Sequence, residues 1–142
     1  MKEKRPDLRV FTWIRPYLAR WGMYRVLVVD DEKLEREGIR FLLSMEEGEW
    51  EIYEAANGKL ALNELRKHPV DLMLTDIKMP HMDGLEATRL IRSYSKEVPI
   101  VALTAFAFES DKDRAIEAGC DDFLTKPVSQ NALEKVLDKY VK

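Results

Sequence analysis

The sequence predicts a doubly wound α/β fold, in which a five-stranded parallel sheet is covered by five helices. From residue 24 onward, short apolar runs alternate with segments of helical periodicity. The strongest runs are continuously apolar, which is typical of strands buried on both faces of a parallel sheet. Repeated strand–helix units imply right-handed crossovers that place helices on both sides of the sheet.

Three apolar runs predict the inner strands, and two weaker patterns predict the outer ones. The apolar runs are Val26–Val29, Leu72–Leu74 and Ile100–Leu103. The segment Trp50–Glu54 is more polar and predicts an edge strand, whereas Phe123–Leu124 predicts a short fifth strand.

The segments between the strands have the periodicity and the end signals of helices. Three of them show a stripe at helical spacing, typical of the packed face of a helix. The stripes are Leu34, Gly38, Leu42 and Met45; Ala87, Leu90, Ile91 and Tyr94; and Leu133, Val136, Leu137 and Tyr140. Asn57, Asp83 and Ser129 mark helix starts, and Gly119 marks a helix end.

Polar residues stand where the predicted strands end. Strand 1 ends in Asp30 and Asp31, strand 3 in Asp76 and strand 4 in Thr104, and strand 5 runs into Lys126. The carboxyl ends of parallel strands lie along one edge, where open α/β sheets bind ligands. We therefore expect three carboxylates, one hydroxyl and one ammonium to converge there.

This set of groups suits phosphoryl transfer. Clustered carboxylates need a cation or protons to coexist, and a few hard oxygen ligands suit Mg2+. The lysine and the threonine hydroxyl can contact phosphate oxygens, and one carboxylate can act as the nucleophile and form an acyl phosphate. Singly, each residue also has an ordinary role, such as capping of the first helix by Asp31 or Glu32. The presence of these acids, the threonine and the lysine at four strand ends of one sheet edge favours a shared chemical role over separate structural ones.

Composition limits the class of protein. The 142 residues suit one domain, and 46% hydrophobic with 35% charged residues is typical of a soluble globular chain without a membrane span. A single cysteine, Cys120, excludes a disulfide framework and indicates a cytoplasmic protein. The net charge of -3 divides into +4 for residues 1–23 and therefore -7 for the remainder. An acidic body argues against direct nucleic-acid binding.

Four segments together resemble one family. They are Val28–Glu32, Leu74–Gly84, Ala102–Ala105 and Phe123–Pro127. They resemble the response-regulator receiver domain of bacterial two-component signalling, over essentially all of residues 24–141. The resemblance implies a flavodoxin-like fold with strand order 2-1-3-4-5.

The resemblance also implies roles for the acidic residues. Asp76 is the expected phosphoacceptor. Asp31 and Asp76 are expected to bind Mg2+ directly, Asp30 mostly through water, and the backbone carbonyl of Lys78 supplies a further ligand.

Further roles follow from the same resemblance. Thr104 and Lys126 are expected to contact the phosphoryl oxygens, Thr104 and Phe123 to form the switch pair, and the Lys126–Pro127 peptide bond to be cis. Lys78 and Phe106 stand at positions that tune dephosphorylation. We expect the bulky Phe106 to hinder the attacking water, so that the acyl phosphate is long-lived.

The function implied is a phosphorylation switch. A histidine kinase or phosphotransfer protein donates the phosphoryl group, and the surface of the fourth helix, fifth strand and fifth helix then changes. A downstream protein, a fused output domain or a phosphorylation-linked dimer reads the change. The transfer is self-catalysed, and no external metabolite is turned over. Residues 24–38 resemble the start of regulators fused to helix-turn-helix outputs, whereas Leu85–Thr88 and Ala105–Asp111 resemble receivers attached to hybrid kinases. A receiver can also signal alone, as chemotaxis-type regulators do.

Two other functions compete with the switch. A magnesium-dependent phosphohydrolase would place a second acid two residues after its nucleophile. Lys78 occupies that position after Asp76, and although Glu32 occupies it after Asp30, the sequence has no cap insertion. A degenerate receiver acting only as an interaction module would not need the complete set of acids, threonine and lysine.

Residues 1–23 form a basic leader, and residues 24–142 the receiver domain. The leader carries an apolar stripe that ends at Trp21, and Pro16 predicts that a helix begins near it. It is a linker from an upstream domain, an extension ahead of a start at Met23, a docking or dimerising helix, or a membrane-surface segment. It lacks the sustained apolar core of a signal peptide.

Overall fold

A computed structural model describes residues 22–105 and 109–142, in which strands and helices alternate strictly. The strands are β1 (Met23–Val29), β2 (Glu49–Ala55), β3 (Leu72–Asp76), β4 (Ile100–Thr104) and β5 (Asp122–Thr125). The helices are α1 (Lys33–Ser44), α2 (Gly58–Lys67), α3 (Gly84–Tyr94), α4 (Glu109–Ala118) and α5 (Gln130–Tyr140). No helix in these two ranges is long and apolar enough to cross a membrane.

The described strands form one parallel sheet in the order β2-β1-β3-β4-β5, which confirms the predicted fold and strand order. The predicted edge strand, β2, does lie at an edge. Strand order reverses between β1 and β3, because β2 pairs with one side of β1 and β3 with the other. Val29 pairs with Thr75, and Thr104 with Thr125, so the strand ends are nearly level along one edge.

The sheet has an apolar core on each face. Alternate residues of a strand point to opposite faces, so Val26 and Val28 join one core while Leu27 and Val29 join the other. Helices α1 and α5 complete the core that contains Val26 and Val28. Helices α2, α3 and α4 complete the core that contains Leu27 and Val29. Each strand of the interior is therefore covered on both sides, as its continuous apolar sequence predicts.

The predicted helix ends are confirmed by their capping contacts. The side chains of Asn57, Asp83 and Ser129 accept hydrogen bonds from the amide three residues later, at 2.9, 2.8 and 3.2 Å. These bonds satisfy amides that have no partner within the helix. Gly119 follows α4 with a φ of 111°, a conformation that favours glycine. Glu32 occupies the N-cap of α1 without a side-chain bond to the helix.

The buried face of α1 differs from the predicted stripe. Ile39 and Leu43 are buried, whereas Leu34 and Met45 of the predicted stripe are 80% and 61% exposed. Apolar residues occur on two sides of this helix, so periodicity alone does not identify the side that meets the sheet. The prediction for α3 fails in the same way at Leu90, which is exposed. The stripe of α5 is confirmed, with its first three residues buried.

The predicted leader lies outside the described residues except for its last two. Met23 is already the first residue of β1, one position before the predicted start of the domain. Gly22 also contributes, since its carbonyl accepts a 2.8 Å hydrogen bond from the Glu49 amide. The strand pairing therefore extends slightly further toward the amino terminus than the apolar run.

Candidate functional site

Asp30 is fixed at the point where strand order reverses. Its amide donates to the Ala55 carbonyl at 3.0 Å, and its own carbonyl accepts from the Arg36 guanidinium at 2.7 Å. Its carboxylate accepts a 2.9 Å bond from the Glu32 amide, and the residue is almost completely buried. Asp31, the next residue, is exposed. One acid of the pair is thus held inside the sheet edge and the other faces solvent.

Asp76 ends β3 and is held by a loop that folds back onto the strand. The Thr75 hydroxyl donates to the Asp76 carbonyl at 3.0 Å, and the Gly84 amide donates to the Ile77 carbonyl at 2.9 Å. A Cβ at Gly84 would lie 2.8 Å from Thr75 Oγ1 and would overlap the Asp76 carbonyl oxygen. This close approach requires glycine at the start of α3.

The three predicted carboxylates converge. Asp30, Asp31 and Asp76 each offer an oxygen, and these oxygens lie within 4.8 Å of one another. Oxygens this close repel one another unless a cation or protons intervene. These carboxylate oxygens are hard ligands, they lie close together, and they are open to solvent on the Asp31 side. Such a group of ligands suits a divalent cation.

Lys126 reaches the same crevice from the end of β5. Its amide donates to the Thr104 carbonyl at 2.8 Å, which fixes the backbone beside β4. Its Nζ lies 2.8 Å from Asp30 Oδ2, 3.4 Å from Asp76 Oδ1 and 2.6 Å from Glu35 Oε2. The predicted lysine thus stands opposite the predicted acids, together with a glutamate that sequence reasoning missed.

Glu35 lies in the first turn of α1, three residues after the N-cap. A glutamate at this position of a helix commonly reaches back toward the N-cap. Here that direction leads to the crevice, because α1 begins directly after Asp30 and Asp31. The position of Glu35, in the first turn of the helix that follows the acid pair, could therefore have marked it as a candidate site residue from the sequence.

The surroundings shift the pKa values of the nucleophile candidate and the lysine. Burial raises the pKa of Asp76 from 3.8 to about 6; nearby Lys126 opposes the shift and Asp30 adds to it. Burial alone would lower the pKa of Lys126, but hydrogen bonds to Asp30 and Glu35 outweigh it and raise the pKa above its usual range. Lys126 therefore remains an ammonium at neutral pH.

The two predicted switch residues lie on neighbouring strands. Thr104 is the last residue of β4 and is buried. Phe123 stands on β5 opposite Ala102 and packs, half-buried, against the core under α2, α3 and α4. The ammonium of Lys112 from α4 lies 4.7 Å from the centre of the Phe123 ring. The aromatic ring thus occupies the boundary between the core and the α4 surface.

Pro127 and Lys78 lie in loops next to the crevice. The Lys126–Pro127 peptide bond is cis. Lys78 is exposed in the loop between β3 and α3, two residues after Asp76. Phe106, predicted to tune dephosphorylation, lies outside the described residues.

A family model and the similar known proteins agree on one protein family. The family model of the response regulator receiver domain matches residues 26–138. A two-component response regulator of Oryza sativa subsp. japonica, ORR41, is 42% identical over 120 residues, which cover 83% of this chain and 94% of the regulator. The sensor histidine kinase GacS of Pseudomonas protegens is 40% identical over 121 residues, 82% of this chain but only 13% of the kinase.

Solved structures agree with the sequence relatives. The receiver domain of a sensor histidine kinase of Pseudomonas aeruginosa PAO1, with a magnesium ion coordinated in its active-site cleft, is 30% identical with a TM-score of 0.75, covering 83% of this chain and 97% of that one. The receiver domain of the response regulator Ssk1 of Saccharomyces cerevisiae, co-crystallised with the histidine phosphotransfer protein Ypd1, also gives 0.75 at 30% identity, covering 84% of this chain and 89% of the chain compared.

The fold, the acidic crevice and the relatives lead to one assignment. The order of the strands and the acids at the sheet edge are those that the resemblance implies. The chain belongs to the response regulator receiver domain family, and it is a phosphoacceptor switch of phosphorelay signalling rather than an enzyme that turns over a metabolite.

Proposed function

We propose that Asp76 accepts the phosphoryl group and that Mg2+ is held by Asp30, Asp31 and Asp76, with a further ligand from the backbone carbonyl of Lys78. The observation that carries the proposal is the convergence of three carboxylates within 4.8 Å, faced by the ammonium of Lys126. Magnesium prefers a few hard oxygens of this kind and keeps waters for phosphate. The magnesium ion in the Pseudomonas aeruginosa receiver supports the same choice.

Accessibility distinguishes Asp76 from the other two acids. Asp30 is buried, and both of its oxygens have short contacts, to the Glu32 amide and to Lys126. Asp31 is exposed at the rim. Asp76 is partly accessible, and its contact to the lysine is the longest of the three lysine–carboxylate contacts, at 3.4 Å. It can therefore meet an incoming phosphoryl group without first losing a short contact.

The transfer is a substitution at phosphorus. A carboxylate oxygen of Asp76 bonds to phosphorus while the P–N bond of a phosphohistidine breaks; the nitrogen keeps the electron pair and then takes a proton. Lys126 neutralises charge on the phosphoryl oxygens, and the Thr104 hydroxyl donates to one of them. When bound, magnesium supplies positive charge that offsets the phosphoryl oxygens and the acids.

A groove beside the crevice suits a protein donor. It has a volume of about 610 Å³, and Phe41, Leu42, Pro127 and Val128 line it together with Lys126. Phe41 is 64% exposed on α1, which gives the groove an aromatic anchor. We propose that a phosphotransfer protein, or the histidine-bearing domain of a kinase, binds here and presents its phosphohistidine to Asp76. The complex of Ypd1 with a receiver supports this kind of partner.

The output follows from movement of the switch pair. Thr104 moves toward the phosphoryl group, and Phe123 turns inward into the space beside it. Because Phe123 contacts Lys112 of α4, its movement changes the surface formed by α4, β5 and α5. A downstream protein, a fused output domain or a second copy of the chain then binds the changed surface. The two states exchange, and phosphorylation shifts their populations.

We propose the boundary between leader and receiver domain at residues 23 and 24, although Met23 already belongs to the first strand of the receiver sheet. The match of the family model to residues 26–138 supports this boundary. The proposed cellular compartment is the reducing cytoplasm, and the buried free thiol of Cys120 supports this choice.

The central test is intact mass after incubation with acetyl phosphate or phosphoramidate. We expect a gain of one phosphoryl group that needs Mg2+ and is abolished in Asp76→Ala but kept in the matched variant Asp138→Ala, since Asp138 is exposed on α5. A folded wild-type protein that gains no mass would contradict the proposal, and it would favour a domain that acts only as an interaction module.

The donor groove has a separate test. Phe41→Ala should slow transfer from a phosphotransfer protein several-fold without changing the reaction with acetyl phosphate, because only the protein donor uses the groove. Ile116→Ala is the control, since Ile116 is a similarly exposed apolar residue on α4. Equal slowing by both substitutions would argue against docking at the groove.

A further inference from the structure

We infer that Glu35 is a positioning residue, which holds Lys126 in the resting domain and releases it to the phosphoryl group, and that this release limits the rate of phosphorylation. The inference rests on the proposed role of Asp76 as the acceptor. It adds a residue of α1 to a site otherwise built from strand ends and the loops that follow them.

The distances favour Glu35 as the resting partner of the lysine. Lys126 Nζ lies 2.6 Å from Glu35, 2.8 Å from Asp30 and 3.4 Å from Asp76. The ammonium has three protons, and its two short contacts are both to carboxylates other than the proposed acceptor. On this inference, Lys126 closes the 3.4 Å gap toward Asp76 and its phosphoryl group by lengthening one of these two contacts.

Burial decides which contact gives way. The Asp30 side chain is 2% exposed, and that of Glu35 is 38% exposed. Removing the ammonium from a buried carboxylate is costly, because that charge cannot be hydrated. The Glu35 carboxylate can be hydrated as the lysine leaves, since ion pairs at this degree of exposure are weak. Lys126 therefore keeps Asp30 and exchanges Glu35 for the phosphoryl group.

Charge acts in the same direction. The Lys126 ammonium contacts Asp30, Asp76 and Glu35. Asp31 lies close to Asp30 and Asp76, so these four acids carry more negative charge than this lysine offsets when all are ionised. Phosphoryl donors are themselves anions and are repelled by this field. Glu35 thus slows the reaction twice, by occupying the lysine and by adding charge.

Two substitutions separate these effects. Glu35→Gln removes the charge and the ion pair, whereas Glu35→Asp keeps the charge on a side chain one methylene shorter. Glu37→Gln is the matched control, because Glu37 lies on the same helix and its nearest ammonium is that of Lys33, 3.9 Å away, outside the crevice. Circular dichroism verifies that all variants are folded.

The kinetic readout is the second-order rate constant for phosphorylation by phosphoramidate with saturating Mg2+, followed by intact mass. We expect Glu35→Gln to react about threefold to tenfold faster than wild type. Glu35→Asp should show most of this gain, because its contact with Lys126 is lost. Glu37→Gln should match wild type. A Glu35→Gln variant no faster than Glu37→Gln would overturn the inference.

A spectroscopic readout tests the contact without any phosphorylation. The side-chain ¹⁵N resonance of Lys126 should shift, and its ammonium protons should exchange faster with water, in Glu35→Gln but not in Glu37→Gln. An unchanged lysine signal would overturn the proposed holding contact. A wild-type protein that takes up no phosphoryl group would instead overturn the proposed function and the kinetic role, while the lysine signal still decides whether Glu35 holds Lys126.

Discussion

Replacing Asp76 with asparagine should stabilise the folded domain in magnesium-free buffer. The Asp76 carboxylate is held in a half-buried crevice beside the buried Asp30, and burial is the main reason that its pKa rises from 3.8 to about 6. Asparagine has nearly the same shape but no charge, so it removes the cost of the ionised form. The ammonium of Lys126 keeps its two shorter contacts, to Asp30 and Glu35.

The size of the effect follows from the pKa. The difference between 3.8 and about 6 corresponds to roughly 3 kcal/mol at neutral pH, already reduced by the attraction of Lys126. Because the folded pKa of Asp76 is above the unfolded value, the folded state binds more protons between about pH 4 and about pH 6. The contribution of this group to the free energy of unfolding therefore falls as pH rises through that window, and it changes little at higher pH.

The assay is urea unfolding with EDTA, from pH 4 to pH 8, compared with the variant Asp138→Asn on the exposed face of α5. At pH 7.5 we expect Asp76→Asn to gain about 2–3 kcal/mol, or about 5–10 °C in Tm, and to lack the fall between pH 4 and pH 6. Magnesium at ten times its Kd should add about 1.4 kcal/mol to wild type and less to the variant.

A loss of stability in Asp76→Asn, or a fall with pH as steep as that of wild type, would refute the reasoning. Either result would mean that the ionised carboxylate stabilises the folded domain through Lys126 more than burial destabilises it. A gain of the same size in Asp138→Asn would mean that general charge, not the crevice, is responsible.

Three further predictions concern other positions of the domain. Gly84→Ala should lower the free energy of unfolding by about 1–3 kcal/mol in urea, because its Cβ would meet Thr75 Oγ1 and the Asp76 carbonyl; an unchanged midpoint would contradict this. Phe106→Ala should lose its phosphoryl group several-fold faster, measured by intact mass after removal of the donor, and unaltered decay would remove Phe106 as a shield. Burial raises the pKa of the Cys120 thiol, so iodoacetamide should label it in urea but hardly at pH 8 in native buffer; rapid native labelling would disprove its burial.

Much of the fold could be predicted because the strands and caps have local signals. Continuous apolar runs such as Val26–Val29 identify strands covered on both faces, and cap residues such as Asn57 and Asp83 mark helix starts. The convergence of the acids and Lys126 could be predicted because parallel strands bring their carboxyl ends to one edge. Asp30 and Asp76 thus meet although they are 46 positions apart in the sequence, as the strand pairing requires.

The sequence by itself determined the alternation of strands and helices, their caps, and which polar residues follow the strands, because these depend on neighbours along the chain. Only the tertiary structure decided that α1 buries Ile39 and Leu43 while Leu34 faces solvent, since that choice depends on how the helix lies against the sheet. It also decided that Glu35 contacts Lys126 and that the Asp76 pKa is raised. Contacts and burial of this kind arise between distant segments, so the position of Glu35 in the first turn of α1 indicates its direction but does not identify Lys126 as its partner.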